Sequence, residues 1–344
     1  MFGLKRKSLG IDIGSSNTTI VVGKRREILF EPTYVAYSTN PKSSGRTAQY
    51  GTAAKAMHGK TPPSIKVVRP FRQGAIANFD SASDLIKHLM QQIKNSFFVP
   101  HTRFDVFASV PESATNVEKR AIKQSLLAAG AGRVTLVRKP IVAAIGAGLN
   151  VHLPVGSLVV DIGGGTCEIS IVSLTDLIVS RSLRVGGETM DEEISNYLKK
   201  NYSILIGDST AEDLKDNIGS AVLDDKIEGV VTVKGRHAVT GIPTETQVPY
   251  SNIVKAIMPV IDTIAEAIRD VIEQAPPDIM SDVLETGLLL TGGVARLQGI
   301  GPALSERLGL AVNIADDPSH VIARGLTEVL KSHRSYKHIV IDAD

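Results

Sequence analysis

Two aspartates, each leading into glycine, stand out in this sequence. Asp12 lies in LGIDIGSSNTTIVVG, residues 9–23, and Asp161 lies in LVVDIGGGTCEISIVS, residues 158–173. Each follows an apolar run and begins Asp-Ile-Gly: Asp12-Ile13-Gly14 and Asp161-Ile162-Gly163. Gly163, Gly164, Gly165 and Thr166 form the second tip. Glycine has no Cβ, so its backbone can approach a ligand closely. Successive N–H groups in such a turn make a concavity for an anion. A carboxylate at the end of the buried strand is placed to hold a cation, or its water, beside that anion. On this pattern alone an ordinary glycine-rich hairpin fits equally well. The recurrence about half a chain apart points further, to a duplicated unit with one hairpin from each half. Two such hairpins facing across a cleft would clamp a polyphosphate and one Mg²⁺. The repeat is loose, with Glu168 standing where the first copy has Thr19, and chance similarity is the alternative.

The elements that position these tips alternate between strand and helix patterns. The hairpins read as strand, turn, strand. A further strand is expected over 27–37 and a short helix over 52–58. Ser81 or Ser83 is expected to cap a helix with Leu85, Ile86, Leu89, Met90 and Ile93 on one face. Thr115 to Glu118 is a capping box, as is Ser209 to Glu212. Pro140 opens an Ala/Gly-rich helix over 141–148. Strands at 229–233 and 237–240 are expected to flank Gly235 as a hairpin. A long amphipathic helix starts at Ser251 with Pro259 as a kink. An apolar strand at 287–290 then meets Thr291, Gly292 and Gly293 and a helix, a third element with free N–H groups for an anion.

Composition narrows the class. A chain of 344 residues with 43% hydrophobic and 22% charged residues has the make-up of a soluble globular protein of two ordinary domains. Its net charge of +2 gives no reason to expect nucleic acid. The single Cys167 excludes a disulfide framework and any multi-cysteine metal site, which fits a reducing cytosol. No apolar run is long enough to span a membrane. The N-terminus, MFGLKRKS, lacks the apolar core of a signal peptide. Met1, Phe2 and Leu4 beside Lys5, Arg6 and Lys7 could form a short interfacial anchor or none. Phe97 and Phe98, ahead of Pro100, are either an exposed apolar loop or part of the core.

Three glycine elements in this order look like the actin, sugar-kinase and DnaK-type ATPase superfamily. Within it the whole chain resembles the bacterial actin-like MreB family. The matching stretches include IDIGSSNT, GKTPPSIKVVRP, ESATNVEKRAI, VVDIGGGTCEISIVSL, VGGETMDEEISNYLKKNY, IGDSTAEDLKDNIGSA, LLLTGGVARL and ADDPSHVIARG. The resemblance implies an α/β fold of two duplicated actin-like (ribonuclease H-like) domains, each with a large and a small subdomain around a nucleotide cleft. Residues 1–145 would form the first, with its small subdomain at about 32–75. Residues 146–344 would form the second, with its small subdomain at about 182–250. It implies ATP or ADP with Mg²⁺ in the cleft, and filaments of identical subunits on the inner, cytoplasmic face of the cell membrane that determine cell shape.

Carried over by position, Asp12, Gly14, Ser15, Ser16 and Asn17 correspond to the first phosphate hairpin. Asp161, Gly163, Gly164, Gly165 and Thr166 correspond to the second, with Asp12 and Asp161 near the metal and Thr166 near the reaction. Glu212 and Lys215 match the pair that holds ribose and adenine, although Glu212 also completes a capping box. Gly292 and Gly293 match the adenosine turn. Phe97 and Phe98 fall where the family places an apolar membrane-insertion loop, while Phe2 and Leu4 belong to the candidate N-terminal anchor.

Four departures qualify the resemblance. The family usually carries Glu-Glu-Pro ahead of this small-residue helix, and the second Glu orients the attacking water. Here the sequence is Arg138-Lys139-Pro140. A carboxylate can polarise water, whereas an ammonium has no lone pair to accept its proton. Lys139 could instead pair with a γ-phosphate. Cys167 replaces a second threonine, Val294 a third glycine, and Asn78 an aspartate. Hydrolysis is therefore expected to be slow or absent, unless a neighbouring acid such as Glu112 substitutes. The alternatives are an autonomous polymer, a reduced form that co-assembles with active paralogues, or a small-molecule (sugar-type) kinase on the same fold.

Overall fold

The computed structural model describes residues 7–23, 28–40, 47–96, 103–223, 228–332 and 335–341. Phe2, Leu4, Phe97 and Phe98 lie outside them. Among the described residues, two large sheets carry the molecule. In the first, the spatial order is Ile28–Pro32, Asn17–Val22, Ser8–Ile13, Asp105–Val110, Arg133–Arg138 and Val340–Ile341. In the second it is Asp176–Leu183, Cys167–Ser173, Ser157–Ile162, Leu288–Thr291 and Val312–Ile314. Both start with three antiparallel strands, the inner two joined as the glycine hairpin, and continue with two strands parallel to the hairpin's first strand. The duplication suggested by the two Asp-Ile-Gly segments is thus a duplication of sheet topology.

The first sheet is covered on one side by helices Phe79–Ser96 and Asn116–Ala128. Leu85, Ile86, Leu89, Met90 and Ile93 form the buried stripe of the former, each worth roughly 1.5–3 kcal/mol of transfer free energy. That helix starts earlier than Ser81. Asn78 Oδ1 accepts from the Ser81 amide at 2.9 Å, so the residue that departs from the family's aspartate is the cap. The Thr115 capping box is present, with the Thr115 side chain accepting from the Glu118 amide and Glu118 reaching back to Thr115.

Between the two large sheets lie helices Lys139–Gly146 and Val321–Lys331. Val21 and Val137 of the first sheet and Val159 and Val172 of the second enclose them. The two helices cross at glycines. A Cβ on Gly146 would strike the Val321 carbonyl, and one on Gly325 would strike the Val142 carbonyl. Arg324 fastens the crossing by donating to the Gly146 carbonyl at 3.0 Å.

Two smaller sheets flank the space above. One pairs Thr47–Tyr50, Val35–Ser38 and Ile65–Val68 beside helix Gly51–Met57. The other pairs Ile204–Leu205, Val230–His237 and Pro243–Pro249, near helices Gly187–Tyr202 and Asp208–Ile218. Several local expectations change here. The segment over 27–37 is two strands in different sheets, broken at Thr33, whose hydroxyl donates to the Gly14 carbonyl at 2.8 Å. Gly235 is not a turn. It lies inside Val230–His237, where a Cβ would meet the Leu205 carbonyl. The 209–212 capping box does not form, because helix Asp208–Ile218 starts from Gly207 without a side-chain cap.

Gly146→Val is expected to destabilise the protein by about 2 kcal/mol or more, since backbone on the facing helix cannot move aside locally. Urea unfolding of wild type and variant checks this; coincident midpoints would mean the helices can separate.

Candidate functional site

The two hairpin tips meet across a cavity of about 500 Å³. Each tip is closed by its own backbone: Gly14 donates to the Asn17 carbonyl at 2.9 Å, and Gly163 to the Thr166 carbonyl at 2.8 Å. Added side-chain bulk would collide across the gap. A Cβ on Gly164 would meet Ser16, and one on Gly165 would meet Ser15 and the Gln73 amide. The glycines therefore set how closely the halves approach.

Most of the residues singled out from the sequence converge here. Asp12, Gly14, Ser15, Ser16, Asn17, Lys139, Asp161, Gly163, Gly164, Glu212, Lys215, Gly292 and Gly293 all line the cavity. Gly165 and Thr166 do not. They sit behind the tip, Gly165 against Ser15 and Thr166 against Gly74. Glu112 is also outside the lining. Its amide donates to Glu168 at 3.2 Å. Gly292 has φ +90°, and a Cβ there would meet the backbone of Ile162, so glycine is required by conformation and by space. Val294 lines the cavity and is almost fully buried. Cys167 is fully buried, and burial pushes its thiol well above the usual range; it has no place in the cleft's chemistry.

At the floor, the strand ends bring Asp12 and Asp161 together around Lys139, the first residue of helix Lys139–Gly146. The Lys139 ammonium is 3.2 Å from Asp161 Oδ2 and 3.8 Å from Asp12 Oδ2. The remaining oxygens are held by hydroxyls: Thr291 donates to Asp161 Oδ1 at 2.9 Å and Ser109 to Asp12 Oδ1 at 2.5 Å. Burial alone would lower the Lys139 pKa, but Asp12, Asp161 and Glu168 outweigh it and raise it above the ordinary lysine value. The ammonium stays charged through the physiological range. Glu168 is itself buried, which raises its carboxyl, and Ser182 and the Glu112 amide hydrogen-bond to it. The aspartate pair expected to hold a divalent cation therefore encloses an ammonium, and the donor set does not fit a metal while Lys139 stands there.

The walls carry ion pairs that sequence reading did not connect. Arg69 pairs with Glu188. Ser16 also reaches Glu188, at 3.5 Å. Burial raises the Glu188 carboxyl, with Arg69 and Arg72 pulling the other way. At the mouth, Lys55 meets Glu212 at 2.8 Å and His58 meets Asp208 at 3.1 Å. Glu212, released from the expected capping role, is thus engaged by the opposite wall. Lys215 contacts Asp191 at 2.8 Å. Arg69 and Glu188 do fall within the GKTPPSIKVVRP and VGGETMDEE stretches, but nothing local in either says that they meet.

Two three-antiparallel, two-parallel sheets with paired glycine hairpins over a polar cleft define an actin-like fold. Related structures agree. MreB5 of Spiroplasma citri bound to AMPPNP superposes with a TM-score of 0.89 at 30% identity, covering 97% of this chain and 98% of that one. The same protein bound to ADP gives 0.88 at 31% identity over the same shares. A MamK double helical filament gives 0.78 at 20% identity, over 95% of this chain and 99% of that one, a likeness of fold alone. The family model described as MreB/Mbl protein matches residues 6–338, and the chain belongs to that family. It is 41% identical over 325 residues to the cell shape-determining protein MreB of Escherichia coli (strain K12), covering 94% of this chain and 93% of the other. It is 35% identical over 321 residues to the cell shape-determining protein Mbl of Bacillus subtilis (strain 168), covering 93% and 94%. No described helix is long and apolar enough to cross a membrane.

Gly164→Val is expected to force the hairpin tips apart and to weaken nucleotide binding at least about tenfold, a loss of about 1.4 kcal/mol, with the circular dichroism spectrum retained. Titration with ATP checks it; unchanged affinity would show that the tips do not define the site.

Proposed function

We propose that this chain binds ATP or ADP in the cleft and assembles with copies of itself into filaments that serve cell-shape determination. The observation that carries the reading is the cavity between two facing glycine tips, in a family member whose relative is bound to AMPPNP. Gly14, Ser15, Ser16 and Asn17 would cradle phosphates from one side and Gly163 and Gly164 from the other, with Asp12 and Asp161 holding Lys139 below them. Gly165 and Thr166 would support the second tip. Glu212 and Lys215 would face the ribose and base, opposite Gly292 and Gly293. Nucleotide would draw the halves 1–145 and 146–344 together and favour the filament conformation. The filaments would lie on the cytoplasmic face of the cell membrane, with Phe97, Phe98, Phe2 and Leu4 as apolar contacts.

Hydrolysis is slow or absent in this reading. An attacking water needs a neighbour that accepts its proton, and the residue at the expected place is a charged ammonium. Turnover of such a filament would come from subunit or nucleotide exchange, or from co-assembly with active paralogues.

Phosphate release from ATP in Mg²⁺ buffer is expected to be near background for wild type and about 10²-fold or more higher for Lys139→Glu. Equal rates would mean that another group positions the water. Sedimentation with ATP, with and without liposomes, tests assembly. Wild type is expected to pellet above a threshold concentration, and a Phe97→Ser/Phe98→Ser variant to lose liposome association only. Protein that stays in the supernatant under every condition overturns the filament reading.

A further inference from the structure

The floor of the cleft is built as a cation site, and the cation is part of the chain. Asp12 and Asp161 come from the two hairpins, one from each half. Each has one oxygen fixed by a hydroxyl, from Ser109 and Thr291 respectively, and the other turned toward Lys139 Nζ. The Lys139 side chain is only 10% exposed, yet it lines the cavity between the glycine tips. The ammonium is covalently tethered by the backbone of a helix wedged between the sheets, so it cannot diffuse away as a bound ion can.

We propose that the Lys139 ammonium is the resident cation of this cleft, so that the ligand is the free nucleotide polyanion and not its divalent-metal complex. The inference rests on the nucleotide reading above. A second cation would have to share two carboxylates already engaged, within a few ångströms of a fixed positive charge. The N-terminal end of helix Lys139–Gly146 adds its own positive potential at that point. Both effects disfavour a divalent ion there and favour an anion. An ammonium between two carboxylates still has N–H capacity, since it carries three donors. The donor left over can be directed at a phosphate oxygen in the cavity. Lys139 thereby supplies the charge and orientation that a metal would otherwise provide.

The test is calorimetric titration of the full-length protein with ATP in two buffers, one with Mg²⁺ and one with excess EDTA, for wild type and Lys139→Ala. Wild type is expected to bind at least as tightly in EDTA as in Mg²⁺, because Mg²⁺ competes for the free nucleotide, and the variant at least about tenfold more weakly in EDTA than in Mg²⁺. Loss of about tenfold or more by wild type in EDTA overturns the proposal while leaving the nucleotide reading intact. Equal binding of the variant in both buffers also overturns it, because the ammonium would then be idle. Absence of binding by wild type in both buffers overturns the nucleotide reading and this proposal together. If Lys139→Ala does not fold, Lys139→Met, which nearly keeps the length and removes the charge, carries the same comparison.

Discussion

The structure depends on one buried ionic contact, the Lys139 ammonium between Asp12 and Asp161. Three unfavourable terms meet there. Desolvating an ammonium is costly, a helix N-terminus repels it, and two carboxylates brought together repel each other. The set is tolerated because each charge compensates what would be penalised in the others. Breaking such a buried set by removing one member typically costs about 3–5 kcal/mol. Since the two aspartates belong to different sheets and the lysine to a helix between them, the contact ties both halves to the central helix pair. The glycine crossing of that pair lets the sheets come close enough for the charges to meet.

The mouth of the cleft is held differently. The Lys55–Glu212 ion pair lies partly in solvent, where such pairs contribute about 0–1 kcal/mol, and the His58–Asp208 hydrogen bond beside it is also partly exposed. Arg69–Glu188 is deeper, with both side chains 12% exposed. The contacts therefore weaken from floor to rim. The rim contacts resist separation less than the contact at the floor does.

Legibility in the sequence followed the range of the interaction. The glycine tips, the apolar stripe of Phe79–Ser96 and the Thr115 capping box were readable, because each is decided within a few neighbouring residues. The Ser209 box carried the same local signal and failed, since the helix starts from Gly207 and Glu212 meets Lys55 across the cleft. Gly235 had the composition of a turn, but close approach of the Ile204–Leu205 strand explains it. The segment over 27–37 had one strand-like composition and was divided by Thr33, which bonds to the first hairpin. Cross-cleft pairs such as Arg69–Glu188 were not readable at all, because nothing near either residue in the chain encodes its partner. Lys139 was conspicuous as a departure from the family pattern. What the sequence did not disclose was that its charge would be absorbed by the two aspartates.

In the basic-then-apolar segment after Lys331, Val340–Ile341 pairs with Arg133–Arg138 at the edge of the first sheet, and Ile339 is fully buried against the central helices. Helix Val321–Lys331 likewise packs against the strand Ser8–Ile13, with Gly10 leaving room for Leu326. The earliest strand and the latest elements thus share one core. During synthesis, the first sheet keeps an open edge, and both large sheets an incompletely covered inner face, until residues 321–341 have left the ribosome. The second sheet, assembled from residues 157–314, has all its strands before then. The sheet that begins first is the sheet completed last, and the period between is when the nascent chain most needs shielding from other exposed strands.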